Sequence, residues 1–259
     1  MAWARRCTAT IALVILLTPG GCVTITTGTK VEGSPGTVAV STAIVVGLKQ
    51  LREAFEARRK TLLARGGGTA YPAPGVENLL RNTEKKLHKQ FKEKEYAGLR
   101  AKTAEIFAEA RQGIRELAQS ADQRPRPVVE LAALHLVALP PPGDGLPRRE
   151  TDSFLDRVLG LLDQLITWSE QGEMQVTLCG ISTPEAGAKI EFHARGDRVK
   201  VLKTQQELQI YRGKYQVRVL RPVRFQQEVD LWDFDQPDLE CDLTARDCVP
   251  RERAGDCPR

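Results

Sequence analysis

The hydrophobic period of this chain changes once, near Gly172, and that change constrains its fold more than any other feature. Before it, apolar residues recur at helical steps; after it, they alternate. Leu48, Leu51, Phe55 and Leu62 share one face of a first helix, whose far side carries Arg52, Arg59 and Lys60. Gly66-Gly67-Gly68 ends that helix, and Tyr71 to Gly75 supplies a proline-rich loop. A second pattern starts near Val76 and runs to Ala118 through Leu80, Leu87, Phe91, Leu99, Ile106, Ala110, Ile114 and Leu117, with Gly98 as a kink or a break. Val128 to Leu139 is apolar apart from Glu130 and His135. It reads as a buried short helix or a buried strand, since periodicity does not decide a short apolar run. The last helix starts after Thr151, with Asp152 and Ser153 in its first turn, and continues to Trp168.

After Gly172 the alternating segments are 174–178, 189–192, 198–201, 207–210, 215–219 and 228–231. Turns at 184–187, 196–197, 212–214 and 221–222 separate them. The expected fold class is therefore α+β. A bundle of four or five helices over 38–171 precedes a small antiparallel β-sandwich over 172–245, and a Cys-containing tail occupies 246–259.

Within the second half, Ser182-Thr183-Pro184-Glu185-Ala186-Gly187-Ala188-Lys189-Ile190 is similar to the Pro-Glu-Gly-Ala signature of the PEGA domain family, with Ala186 as one extra residue. Leu208 to Val219, where Gly213 leads into Tyr215-Gln216-Val217-Arg218-Val219, resembles the later turn and strand of that family. The resemblance covers about residues 174 to 243 and implies a prealbumin-like sandwich of the kind found on bacterial envelope proteins. It implies no catalytic set.

The amino terminus carries an export pattern: Arg5 and Arg6, an apolar run from Ile11 to Leu17, then Gly20-Gly21 before Cys22. The run is far short of the ~20 residues of a spanning helix. The segment resembles a bacterial lipoprotein signal over 1–21, departing from it at Pro19, and this implies a diacylglyceryl group on Cys22. Residues 22–37, rich in Thr and Gly, read as a flexible tether. The expected location is the cell envelope, lipid-anchored and facing the periplasm, with the outer membrane favoured because Val23 carries no acidic retention signal. Of six cysteines, Cys7 leaves with the signal and Cys22 takes the lipid. Cys179, Cys241, Cys248 and Cys257 remain as disulfide candidates with three connectivities. The favoured one joins first strand to last, Cys179–Cys241, and then Cys248–Cys257.

Charge supplies the remaining candidates. The whole chain carries only +5, too little to imply nucleic acid, but residues 38–150 hold 20 Lys and Arg against 13 Asp and Glu. Arg81, Lys85, Lys89 and Lys92 recur on one helical stripe, a candidate face for anionic head groups or acidic wall polymers, with Glu84, Glu93 and Glu95 close enough to blunt it. The alternative reading of that stripe is a solvated outer surface. Asp233, Asp235 and Asp238, beside Trp232 and Phe234, are candidate oxygen ligands for Ca²⁺ in a glycan- or calcium-binding module. No complete calcium loop is present, and a plain exposed turn is the competing reading. The sequence contains no G-x-S-x-G, no G-x-x-x-x-G-K-[ST], no H-E-x-x-H and no G-x-G-x-x-G, and His88, His135 and His193 are scattered. The expectation is a non-enzymatic interaction or scaffolding protein without a cofactor, partnered by a membrane and by an envelope protein or wall polymer.

Overall fold

Two prolines set the entry of two helices. In the computed structural model, which describes residues 42–122, 145–178, 181–182, 189–203, 207–221 and 223–253, strand β1 (Ala70–Pro72) pairs antiparallel with β2 (Gly145–Pro147). Helix α2 (Ala73–Gln90) follows Pro72, and α4 (Arg148–Gln171) follows Pro147; neither has a side-chain cap. A proline's fixed φ leads the chain into a first turn without one. Helix α4 thus begins at Arg148, before Thr151 and not after it as expected. That threonine lies inside the first turn, with its Oγ1 donating to Pro147 O at 2.8 Å.

Helix α1 (Thr42–Arg65) buries Leu48, Leu51, Phe55 and Leu62, the four residues that share its apolar stripe. Helix α2 buries Val76, Leu79, Leu80, Thr83 and Leu87 and ends at Phe91. A 3₁₀ turn (Lys94–Tyr96) leads into α3 (Ala97–Asp122). The long helical pattern therefore breaks before Gly98, not at it. Arg100 secures the break by donating to Phe91 O and, at 2.7 Å, to Glu93 O, which also accepts from Tyr96 N–H in the 3₁₀ turn. Helix α1 packs on α2 and α4, and α3 packs on the same two, closing a four-helix bundle. The apolar segment 128–139 lies outside the described residues.

Helix α4 stops at Gly172, whose left-handed φ of 78° ends the turn while Glu173 N–H donates to Trp168 O at 2.8 Å. Among the described residues, the chain then forms three sheets. Strands β3 (Gln175–Leu178) and β7 (Leu208–Tyr211) pair. A four-stranded antiparallel sheet has β5 (Lys189–Ala194), β6 (Asp197–Lys203), β8 (Lys214–Arg221) and β9 (Phe225–Asp230) in the order β6-β5-β8-β9. The third contains β4 (Ile181–Ser182), β10 (Pro237–Asp242) and β11 (Asp247–Glu252) in the order β11-β10-β4. Their inner faces share one core that includes Val176, Ile190, Phe192, Val217, Leu239 and Cys241. The molecule is α+β, as expected. Among the described residues, the one departure from antiparallel pairing is β4 with β10.

The stretch read as a tail from residue 246 carries β11, which pairs along its whole length with β10. Here the disulfide expectation is corrected. Cys241 bonds to Cys248, not to Cys179, and Cys248 is therefore not joined to Cys257. The hairpin register places Cys241 directly opposite Cys248, with Cα atoms 4.1 Å apart. A local pairing seven residues apart in sequence thus takes precedence over a bridge from first strand to last. Cys179 and Cys257 lie outside the described residues, as do Cys22, the segment 1–21, the tether and the stretch from Thr183 to Ala188. Among the described residues, no helix is long and apolar enough to cross a membrane.

Helices and sheets belong to one unit, and a specific joint fixes one against the other. The N-terminal turn of α3 lies on β8. A Cβ on Gly98 would overlap the Tyr215 ring, and one on Gly213 would overlap the Gly98 backbone. Gly213 also has φ of 149°, where any side chain is strained. Tyr215 donates to Tyr211 O at 2.6 Å, and burial pushes its hydroxyl pKa up. The glycine turn that leads into the Tyr-x-Val-x-Val strand is thus where the helices dock.

Candidate functional site

The amphipathic pattern of α2 turns its cations outward. Arg81, Lys85 and Lys89 are exposed on the helix and Lys92 is exposed just beyond it. Among the described residues, none of the four forms an ion pair. The neighbouring acids on α2 face elsewhere: Glu84 pairs with Arg111 on α3, and Glu77 stands 3.4 Å from Arg115. The bundle therefore takes up the acids of α2 itself, and leaves the helix's outward cations to solvent. His88 lies on the same flank as these acids, 3.2 Å from Thr103 Oγ1, and burial lowers its pKa. Glu93 and Glu95 stay exposed beyond the helix end, interleaved with Lys92 and Lys94.

The stripe continues into a groove that sequence reasoning missed. Between α1 and α2, Lys86 and Lys89 line one side and Arg58 the other, over a floor that includes Leu51 and Ala54. Arg58 and Lys86 are exposed and, among the described residues, unpaired. The signal that could have found it is the repeat of Asn78, Asn82 and Lys86 at four-residue spacing, polar positions beside the buried stripe of α2.

The acidic candidates are mostly engaged. Asp235 is held by Arg212, and both Asp238 carboxylate oxygens accept from Arg253, at 3.0 and 3.1 Å; Asp233 is exposed. Asp230 pairs with Lys102 at 2.6 Å and Glu228 with Lys214 at 2.8 Å. Among the described residues, no group of three or more His, Cys, Asp or Glu is placed to hold a metal ion. Trp232 is buried at the helix–sheet joint, edge-on to Trp168 with ring centroids 4.9 Å apart.

Arg212 appears in the sequence as a turn residue, yet it organises that joint. It is 4% exposed and its guanidinium lies 4.6 Å from the Trp168 ring centroid. It donates to Glu173 O at 2.7 Å, Phe234 O at 2.6 Å and Trp232 O at 3.2 Å. A buried charge with this many acceptors is a structural clamp.

One further polar group lies on the outer face of the four-stranded sheet. Glu191 and His193, two residues apart on β5 and so on one face, are 9% and 7% exposed, with carboxylate and Nε2 3.1 Å apart. The His193 hydrogen bond, with Arg198 at 3.2 Å, holds the Glu191 carboxyl below its ordinary range.

Compared with known proteins, the chain matches no family model, no curated protein and no solved structure.

Proposed function

We propose that this protein is a non-enzymatic lipoprotein of the bacterial envelope. In this reading it is anchored through Cys22, and a helical bundle and a PEGA-like sandwich together form a docking body. The observation that carries the docking role is the outward face of α2, where Arg81, Lys85, Lys86 and Lys89 are exposed and make no ion pair among the described residues, while Glu77 and Glu84 pair with α3. Uncompensated cations on one face attract an anionic partner and set its orientation. Several buried acyl chains at Cys22 would hold that face near an envelope surface, each CH₂ contributing ~0.8 kcal/mol. The PEGA-like assignment rests on Gly213 and Tyr215, which occupy a turn and a core strand.

Detergent partitioning of the wild-type chain and of Cys22→Ser tests the anchor. The wild type is expected in the detergent phase and the variant in the aqueous phase; equal behaviour refutes it. Capture from envelope extract, compared between wild type and Lys85→Glu/Lys89→Glu, tests the docking role. Partners retained equally by both would remove the α2 face from the account.

A further inference from the structure

We infer that the groove between α1 and α2 binds an acidic segment of a partner protein. This rests on reading the α2 face as a docking surface, but not on export or lipidation, which Cys22→Ser tests separately. Three features of the groove select a peptide over a flat anionic surface.

The first is charge. Arg58 from α1 and Lys86 from α2 line one part of the groove, Lys86 and Lys89 the other, and among the described residues no Asp or Glu lines it. The second is the floor. Leu51 and Leu79 are 5% and 7% exposed there, and Ala54 beside them is exposed, so the groove offers a small apolar patch among its cations, which suits an apolar side chain better than a lipid head group. The third is the carboxamides. Asn78, Asn82 and Gln90 stand along the α2 wall, and Gln90 Oε1 is buried without a hydrogen-bond partner. Carboxamides supply both donors and acceptors, which suits a peptide backbone. Gly47 to Arg58 spans eleven helical steps, roughly 16 Å, the reach of about five extended residues. The occupant is therefore a short segment with carboxylates flanking an apolar residue.

Fluorescence anisotropy of the full-length chain with a dye-labelled Glu-Glu-Leu-Glu-Glu peptide tests this. Binding is expected, weakened by salt, and reduced about tenfold or more by Lys86→Glu/Lys89→Glu. Ala54→Trp, which fills the floor and leaves every charge in place, is expected to do the same. Asn82→Trp at the exposed rim serves as a second blocking variant should Ala54→Trp disturb α1, with circular dichroism reporting folding. Arg81→Glu/Lys85→Glu, outside the groove, is expected to cost only about twofold to threefold. Absence of peptide binding overturns the inference. So does binding that Ala54→Trp and Asn82→Trp leave intact, or a larger loss from Arg81→Glu/Lys85→Glu than from the groove pair. Displacement of the peptide by phosphatidylglycerol vesicles at equal charge concentration would reassign the face to a membrane surface.

Discussion

The joint between helices and sheets and the outward face of α2 use the same residue types to opposite ends. At the joint, each cation named here has a partner: Arg212 sits among three carbonyls, Asp235 and the Trp168 ring, while Lys102 and Lys214 share Glu105 and reach Asp230 and Glu228. On α2, Arg81, Lys85, Lys86 and Lys89 are exposed and, among the described residues, without ion pairs. The difference separates two uses of charge. A buried guanidinium is tolerated only where its hydrogen bonds are satisfied, and it then fixes geometry. A row of exposed cations contributes little to stability, so its effect is felt by whatever approaches.

Perturbing the joint should cost the most. Gly98→Ala puts a methyl group into the Tyr215 ring, and a loss of about 3 kcal/mol or more is expected in urea unfolding. If Gly98→Ala unfolds like wild type, the close approach of α3 to β8 is not what holds the parts together. Arg212→Met keeps much of the side chain's bulk but removes the donors that serve Glu173, Trp232 and Phe234 carbonyls, and should destabilise by about 2–3 kcal/mol. A Trp fluorescence change is expected with it, because Trp168 loses the charge beside its ring.

The covalent link sits away from the joint, and its effect should be smaller. Cys241→Ser/Cys248→Ser opens a short loop, with an expected loss of about 2 kcal/mol. Peptide mapping of unreduced protein should recover Cys241 joined to Cys248; recovering Cys241 with Cys179 would restore the first-strand-to-last-strand pairing.

Acid should weaken the joint. A hydrogen bond from Lys214, with Lys102 nearby, holds the Glu105 carboxyl below its ordinary value of 4.5. A depressed carboxylate contributes stability that is fully present above its unfolded value and lost as pH falls through its folded one. The contribution should therefore fade below about pH 4.5, and Glu105→Gln should flatten that part of the stability profile. Glu105 is a third exposed, so the difference should stay under about 1 kcal/mol. A slope unchanged by Glu105→Gln would remove this contact from the acid response.

The smallest effect belongs to α2. Lys85→Ala/Lys89→Ala should shift stability by no more than about 0.5 kcal/mol, while weakening capture of an anionic partner. A large stability loss would mean that these lysines serve the bundle, and the contrast drawn above would collapse.

Much of this was legible in the chain because burial follows periodicity. The stripe Leu48, Leu51, Phe55 and Leu62 emerged as the buried face of α1, and the alternation at Tyr215, Val217 and Val219 as the inner face of β8. Less legible were features that depend on residues distant in sequence. Arg212 looks like any turn residue until Trp168, Trp232 and Phe234 surround it. Glu84 looks like a neighbour of the basic stripe until Arg111, from another helix, claims it. The pairing of Cys241 with Cys248 needed the β10–β11 register; β10 alternates, but β11, without alternation, did not announce itself as its partner.

Local spacing and turn chemistry were sufficient to determine two halves of different secondary structure, the glycine stop of α1, and which residues are apolar enough to be inside. Each follows from interactions within a few residues along the chain. Only the tertiary structure decided that Gly98 makes room for Tyr215, that the acids of α2 turn toward α3 while its cations face out, and that a groove opens between α1 and α2. The reason is physical: a side chain's partner is set by which helix or strand packs beside it, and that packing is a property of the assembled core.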